Sequence, residues 1–116
     1  MPKQKLNPLH AAAFLIMVSL ADEDLHGYEI MRRVEEHTAG RTRLGPGTLY
    51  SSIQALAEAG FIAEIGLGTD EKLNQERRRY YRLTAAGRKA ARAEAEKLAN
   101  LLRVARAKKI LRGEYV

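Results

Sequence analysis

The residues with the most chemical reach in this chain are basic and aromatic, and they are crowded. The stretch "RRRYYR", Arg77 to Arg82, puts four guanidiniums and two phenols into six positions, and no acidic residue occurs from Arg77 to Ala93. Guanidiniums at that density suit phosphates or a narrow minor groove. Their competing use is pairing with Glu64 or Glu76 across a hairpin, which could absorb any one of them but not the cluster. A second stretch, "LGPGTLYSSIQALAEAGF" from Leu44 to Phe61, has the opposite character: it carries no charge up to Ala57, in a chain that is 29% charged. Small residues let a backbone approach a partner closely. Ser and Thr hydroxyls bond bases or phosphates, and Gln can pair with adenine. The same residue types also occur on an ordinary solvated helix face.

Other chemistries are poorly served. His10, His26 and His37 are scattered, and neither a helix-spaced His/Glu metal pair nor a Gly-Ser nucleophile motif occurs. His10 is expected as a satisfied core or interface histidine, and His26 as a helix-start residue. "GLGTDEKLNQE", Gly66 to Glu76, lacks the glycines and the following helix of a dinucleotide loop. Cysteine is absent, which excludes disulfides, thiolate metal sites and Cys nucleophiles and fits a reducing cytoplasm. No enzyme, cofactor or metal site is expected.

These two stretches need elements to hold them. The chain has 116 residues, enough for one domain with a modest core. "AAAFLIMVSLA", Ala11 to Ala21, imitates a signal peptide behind Lys3 and Lys5. It is too short to span a bilayer as a helix, and Asn7-Pro8 reads as an N-cap with Pro at the first helical position. A buried first helix from about Pro8 to Ala21 is therefore expected. The second helix runs from His26 or Gly27 to about His37, with Ile30 and Val34 on its apolar face and Gly40 as its C′ glycine. "RTR", Arg41 to Arg43, links it to a third helix that opens at "GPGT", carries the stripe Leu49, Ile53, Leu56, and ends at Gly60. Gly47, Ser51, Ala55 and Glu58 then lie on the outer side, flanked by Thr48 and Gln54.

After Gly60 the period changes. "FIAEIGL" (Phe61 to Leu67) and "RRRYYRL" (Arg77 to Leu83) read as two strands of a long-tipped hairpin. Alternation puts Arg79, Tyr81 and Leu83 on one face and Arg78, Tyr80 and Arg82 on the other, with Tyr81 on the core side. Thr84 caps a last helix in which Gly87 is a weak point. Ala91, Ala95, Leu98, Leu102 and Ala105 step by four and three as a heptad-like seam that drifts to Leu101, Val104 and Leu111. The fold class is mainly α with a small β-hairpin: a winged helix-turn-helix over residues 1–84 and a long C-terminal dimerisation helix over residues 85–116. Net charge is +6, and it is uneven. Residues 1–58 hold 6 Lys/Arg against 7 Asp/Glu, and residues 59–116 hold 14 against 7. A basic half suggests a polyanion.

Three blocks, "LHGYEIM" (Leu25 to Met31), "GPGTLYSSIQALAEAGFI" (Gly45 to Ile62) and "RRRYYRLTAAGR" (Arg77 to Arg88), resemble in order and spacing the PadR family of bacterial transcriptional regulators. The resemblance covers most of residues 8–90. It implies a winged helix-turn-helix, a homodimer built through the C-terminal helix, and mostly repressors, some released by small aromatic or cationic compounds. Gly47, Thr48, Tyr50 and Ser51 match the family's "GTLY", and Tyr81, Leu83, Thr84 and Gly87 its structural "YxLTxxG". Two departures occur: Gly45-Pro46 stands where Ser-Pro is common, and "NQERRR" lacks the Gly and Pro common near the wing tip.

The expected function is thus a sequence-specific double-stranded DNA-binding transcriptional regulator acting on a palindromic operator. Its DNA-binding residues would be Arg43, Gly47, Thr48, Tyr50, Ser51, Gln54, Arg77 and Arg78. Its dimer interface would be Phe14, Ala91, Ala95, Leu98, Leu102 and Ala105. A planar effector could sit near Phe14 and Met17. The rival reading is a basic protein–protein interaction module that never binds DNA. A membrane surface is disfavoured, because the last helix lacks a bulky aromatic face.

Overall fold

A computed structural model describes residues 10–68 and 78–112. The elements are α1 (Ala11–Ser19), β1 (Leu25–His26), α2 (Gly27–His37), α3 (Pro46–Glu58), β2 (Ile62–Gly68), β3 (Arg78–Leu83) and α4 (Ala85–Ala107). The strands form one antiparallel sheet in the order β1-β3-β2.

Helix α1 is apolar on nearly every side, the pattern of a helix enclosed by others. It packs against α2, α3 and α4. Ala13, Ile16, Met17 and Leu20 join Ile30 and Val34 of α2, Leu49, Ile53 and Leu56 of α3, and Ile62, Tyr81 and Leu83 of the sheet in one core. Ser19, the one buried hydroxyl of α1, donates to the Leu15 carbonyl at 3.0 Å. The expected Asn7-Pro8 start lies outside the described residues. Within them α1 begins at Ala11, with His10 as its N-cap residue. His10 is exposed in the single chain and makes no capping bond through its side chain, which corrects the core half of the core or interface place expected of it.

Two chain reversals differ from the sequence reading. Gly40 is not the C′ residue of α2. Thr38 is the C-cap, Ala39 takes the left-handed conformation at φ 54°, and Gly40 follows at φ 79°. The Ala39 and Gly40 amides close the turn onto the Glu36 and Glu35 carbonyls at 3.1 and 2.8 Å, the bonds of a Schellman motif. Gly60 does occupy C′ of α3 at φ 82°, with its own amide and that of Phe61 bonded to the Ala57 and Leu56 carbonyls.

Gly87 is no mere weak point either. It is buried where α4 crosses Phe61, and a Cβ there would sit 2.0 Å from the Phe61 carbonyl oxygen. The position requires glycine for close approach rather than for a special φ. Thr84 caps α4 by accepting the Gly87 amide at 3.0 Å, and its hydroxyl donates to the Gly60 carbonyl at 2.7 Å.

Candidate nucleic-acid interface

Leu49, Ile53 and Leu56 are buried, and this fixes the rotation of α3. Gly47, Thr48, Tyr50, Ser51, Gln54 and Glu58 are exposed as a consequence, whereas Ala55, expected on the outer side, is half-buried. The N-cap of α3 is Gly45, which offers no side chain to cap, and Pro46 follows without an amide hydrogen. No acidic residue stands in the first turn. The positive end of the helix therefore keeps its free amides and its partial charge. Ser51 donates to the Thr48 carbonyl at 3.3 Å and Gln54 to Glu58 at 3.3 Å. Both are local, exposed bonds that an incoming acceptor can replace.

Tyr50 has a second role that spacing does not reveal. Its hydroxyl lies over Gly27, the first residue of α2, so closely that a Cβ on Gly27 would come within 2.4 Å of it. The glycine of the "HGYE" motif thus makes room for the tyrosine of "GTLY" and joins the starts of α2 and α3. His26, just before it, accepts the Glu29 amide at Nδ1 (3.4 Å) as the cap of α2. It also meets the Tyr80 ring edge-on at 5.3 Å. The helix-start role expected of His26 is the one it has, but the strand it forms with Leu25 is new.

The arginines divide. Arg77 lies outside the described residues, and of Arg78 only its place in β3 is described. Arg79 pairs with Glu64 across the hairpin at 3.7 Å, the competing use foreseen for one arginine. Arg82 makes a two-pronged contact with Asp24 at 2.9 and 3.2 Å, tying β3 to the turn after α1. The Arg82 guanidinium holds the Asp24 carboxyl below its ordinary range, mainly through that hydrogen bond. Arg43 reaches Glu35 at 3.4 Å but stays exposed beside the start of α3.

Helix α4 is mostly exposed beyond its first turn. Ala91 and Ala105 are half-buried, Ala95, Leu98 and Leu102 are exposed, and Leu101 and Val104 extend the exposed apolar strip. Phe14 is half-buried. Met17, expected to flank a ligand, is fully buried among core side chains and offers no surface to one. Arg106 turns Nε and one Nη away from solvent without an acceptor among the described residues. No described helix is long and apolar enough to cross a membrane. No group of three or more His, Asp or Glu among the described residues could hold a metal ion.

Comparison with known proteins agrees with this geometry. Over 84% of its length the chain superposes on 97% of a PadR family transcription regulator from Clostridium difficile R20291, at 25% identity and a TM-score of 0.71. Its fold also matches Bacillus subtilis PadR, solved in complex with operator DNA, at a TM-score of 0.64 and 19% identity, over 72% of this chain and 46% of that one. A 37.1 kDa protein of transposon Tn4556 from Streptomyces fradiae is 36% identical over 90 residues, 78% of this chain; the chain spans about a quarter of that protein, 24%. The sequence profile of the transcriptional regulator PadR-like family matches residues 16–93, well over half of the chain, and the protein belongs to that family.

Proposed function

We propose that this protein is a sequence-specific double-stranded DNA-binding repressor that acts as a homodimer on a palindromic operator. One observation carries the reading: Gly47, Thr48, Tyr50, Ser51 and Gln54 are together exposed on a helix without charge in its first three turns, beside an arginine-bearing β-ribbon. A major groove about 12 Å wide accepts such a helix N-terminus first. Bacillus subtilis PadR, which shares the fold, was solved in complex with operator DNA, and this supports duplex DNA as the partner. Ser51 and Gln54 would touch base edges, while Arg43 and the wing residues Arg77 and Arg78 would touch phosphates.

The dimer reading rests on α4. Leu98, Leu101, Leu102 and Val104 are 39%, 60%, 47% and 41% exposed in the single chain. A second copy laid antiparallel on this strip would cover it, as an isologous interface does, and could supply an acceptor to Arg106. For a small aromatic or cationic effector, Phe14 is the remaining candidate contact.

Selecting bound fragments from the source genome tests the proposal. The expected result is enrichment of a palindrome, bound with a steep salt slope. Ser51→Ala or Gln54→Ala should then cost roughly 1–3 kcal/mol on that site and little on random duplex. A stable dimer that binds no duplex at any salt concentration would support the protein–protein interaction module instead.

A further inference from the structure

The β2–β3 hairpin carries a pair of opposite charges that the DNA reading does not use. Strand β2 carries a bulge: Glu64 lies opposite Tyr81, yet Leu67 lies opposite Arg79, so β2 spends one residue more than β3. Gly66, at φ 112°, permits it. Directly opposed residues of an antiparallel pair share a face, and so do residues two apart on one strand. Glu64, Tyr81 and Arg79 therefore share the face that Tyr81 turns into the core. Tyr81 goes inward and is buried, while Glu64 and Arg79 stay at the rim. Burial is the main cause that pushes up the Tyr81 hydroxyl. Glu64 and Tyr50 add to the shift and Arg79 opposes it. Glu64 and Arg79 thus stand together at the rim beside the buried Tyr81.

Arg79 is loosely held there. Its Nη1 stands 3.7 Å from a Glu64 oxygen, beyond hydrogen-bond reach, and the two side chains are 63% and 43% exposed. Such a pair exchanges readily with another anion. A duplex that takes α3 into its major groove passes a phosphate backbone between that groove and the wing. Resting on the DNA reading above, we infer that Arg79 is a phosphate-binding residue of this hairpin and that Glu64 is its built-in competitor, a carboxylate standing where the phosphate must go. Binding requires Arg79 to transfer from Glu64 to the phosphate, so Glu64 acts on affinity through its hold on Arg79. The pair acts as a sequence-independent brake on affinity, and it keeps the basic ribbon from holding any duplex tightly.

A double-mutant cycle tests this on the full chain, using the genome-selected duplex and a scrambled duplex of equal composition. Glu64→Gln keeps the shape and removes the charge. It should tighten binding to both duplexes about fivefold per subunit at low salt, the factor carried by one unit charge at about 4 Å in water. Arg79→Ala should weaken both and lower the log-log salt slope by about 0.9 per subunit, and Arg79→Lys should restore the slope. In the Arg79→Ala background, Glu64→Gln should bring almost no gain. Urea midpoints near wild type establish that the variants fold, as the exposure of both residues leads one to expect.

If Glu64→Gln tightens binding equally with and without Arg79, Glu64 is only a distant repulsive charge and the inference fails. If Glu64→Gln weakens binding, Glu64 positions Arg79 rather than competing for it, and the inference also fails. Wild-type protein that binds neither duplex would remove the DNA reading itself, an outcome distinct from both.

Discussion

Replacing Gly87 by alanine sets two effects of known sign against each other. Gly87 lies in the first turn of a 23-residue helix. On helix propensity alone, alanine should stabilise by up to about 1 kcal/mol. The structure opposes this. The added methyl would lie 2.0 Å from the Phe61 carbonyl oxygen, 2.8 Å from a Leu83 methyl and 2.9 Å from the Phe61 carbonyl carbon. The oxygen cannot retreat freely, because it accepts the Thr84 amide at 3.0 Å. Moving α4 away instead strains the Thr84 cap, which holds both the Gly87 amide and the Gly60 carbonyl. Overpacking of this kind costs about 1–3 kcal/mol, and a weakened cap about 1 more. The net expectation is a loss of roughly 1–3 kcal/mol. Urea denaturation of Gly87→Ala, with an unchanged m-value, measures it. Ala93→Gly, on the exposed side of the same helix, calibrates propensity and should cost up to about 1 kcal/mol. A Gly87→Ala protein more stable than wild type would show that propensity outweighs the contact and would refute the argument.

Ala39→Gly should stabilise by about 1 kcal/mol, because a non-glycine residue there holds the left-handed φ of 54°; thermal melting reads it. Leu98→Lys combined with Leu102→Lys should give monomers by sedimentation while leaving the helical circular dichroism unchanged, since both side chains are exposed in the single chain. The Asp24–Arg82 pair should add an acid limb to the stability profile. The folded-state pKa of Asp24 is depressed below its ordinary 3.8, so the stabilisation is present above that value and is lost as pH falls through the lower folded value. The side chains are 35% and 59% exposed, so its size stays below about 1 kcal/mol. Acid titration of Asp24→Asn, compared with wild type, should show that limb reduced.

The elements that announce themselves in this sequence are those with internal period or a local cap. The stripe Leu49, Ile53, Leu56 places α3, and Gly45-Pro46 and Gly60 bound it, because both the apolar face and the caps lie within a few residues of one another. Tyr81 and Leu83 read as buried from alternation alone, and both are. Strand β1 is two residues long, too short for any period, and exists only because Leu25 and His26 meet Tyr81 and Tyr80 across more than fifty positions. The Asp24–Arg82 contact has the same cause: nothing near either residue in sequence signals it. Gly40 misled because a Schellman turn needs one left-handed residue and the adjacent Ala39 took that place. In the site, the exposure of Ser51 and Gln54 was legible from the opposite stripe. The Gly27–Tyr50 contact was not, because it depends on how α2 and α3 cross.

The charge of the chain has a different distribution from the one its two halves suggest. Of the +7 carried by residues 59–116, residues 59–84 contribute 5 Lys/Arg against 4 Asp/Glu, and residues 85–116 contribute 9 against 3. The basic excess belongs to α4 and the segment after it, not to the hairpin. At the proposed docking face α3 has no charge before Glu58, and Arg43 and Arg79 stand beside Glu35 and Glu64. The phosphate contacts of the docking face and the basic excess of α4 act at different stages of an encounter. Long-range attraction depends on net charge, accelerates association and is screened beyond about 10 Å at 0.1 M salt. Residence depends on short-range fit between α3 and base edges, which salt touches less. Raising salt should therefore slow association on a selected duplex more than it speeds dissociation. Stopped-flow measurement of both rates over a salt series decides it. A salt effect carried mainly by dissociation would mean that the phosphate contacts of the docking face outweigh the long-range attraction of α4.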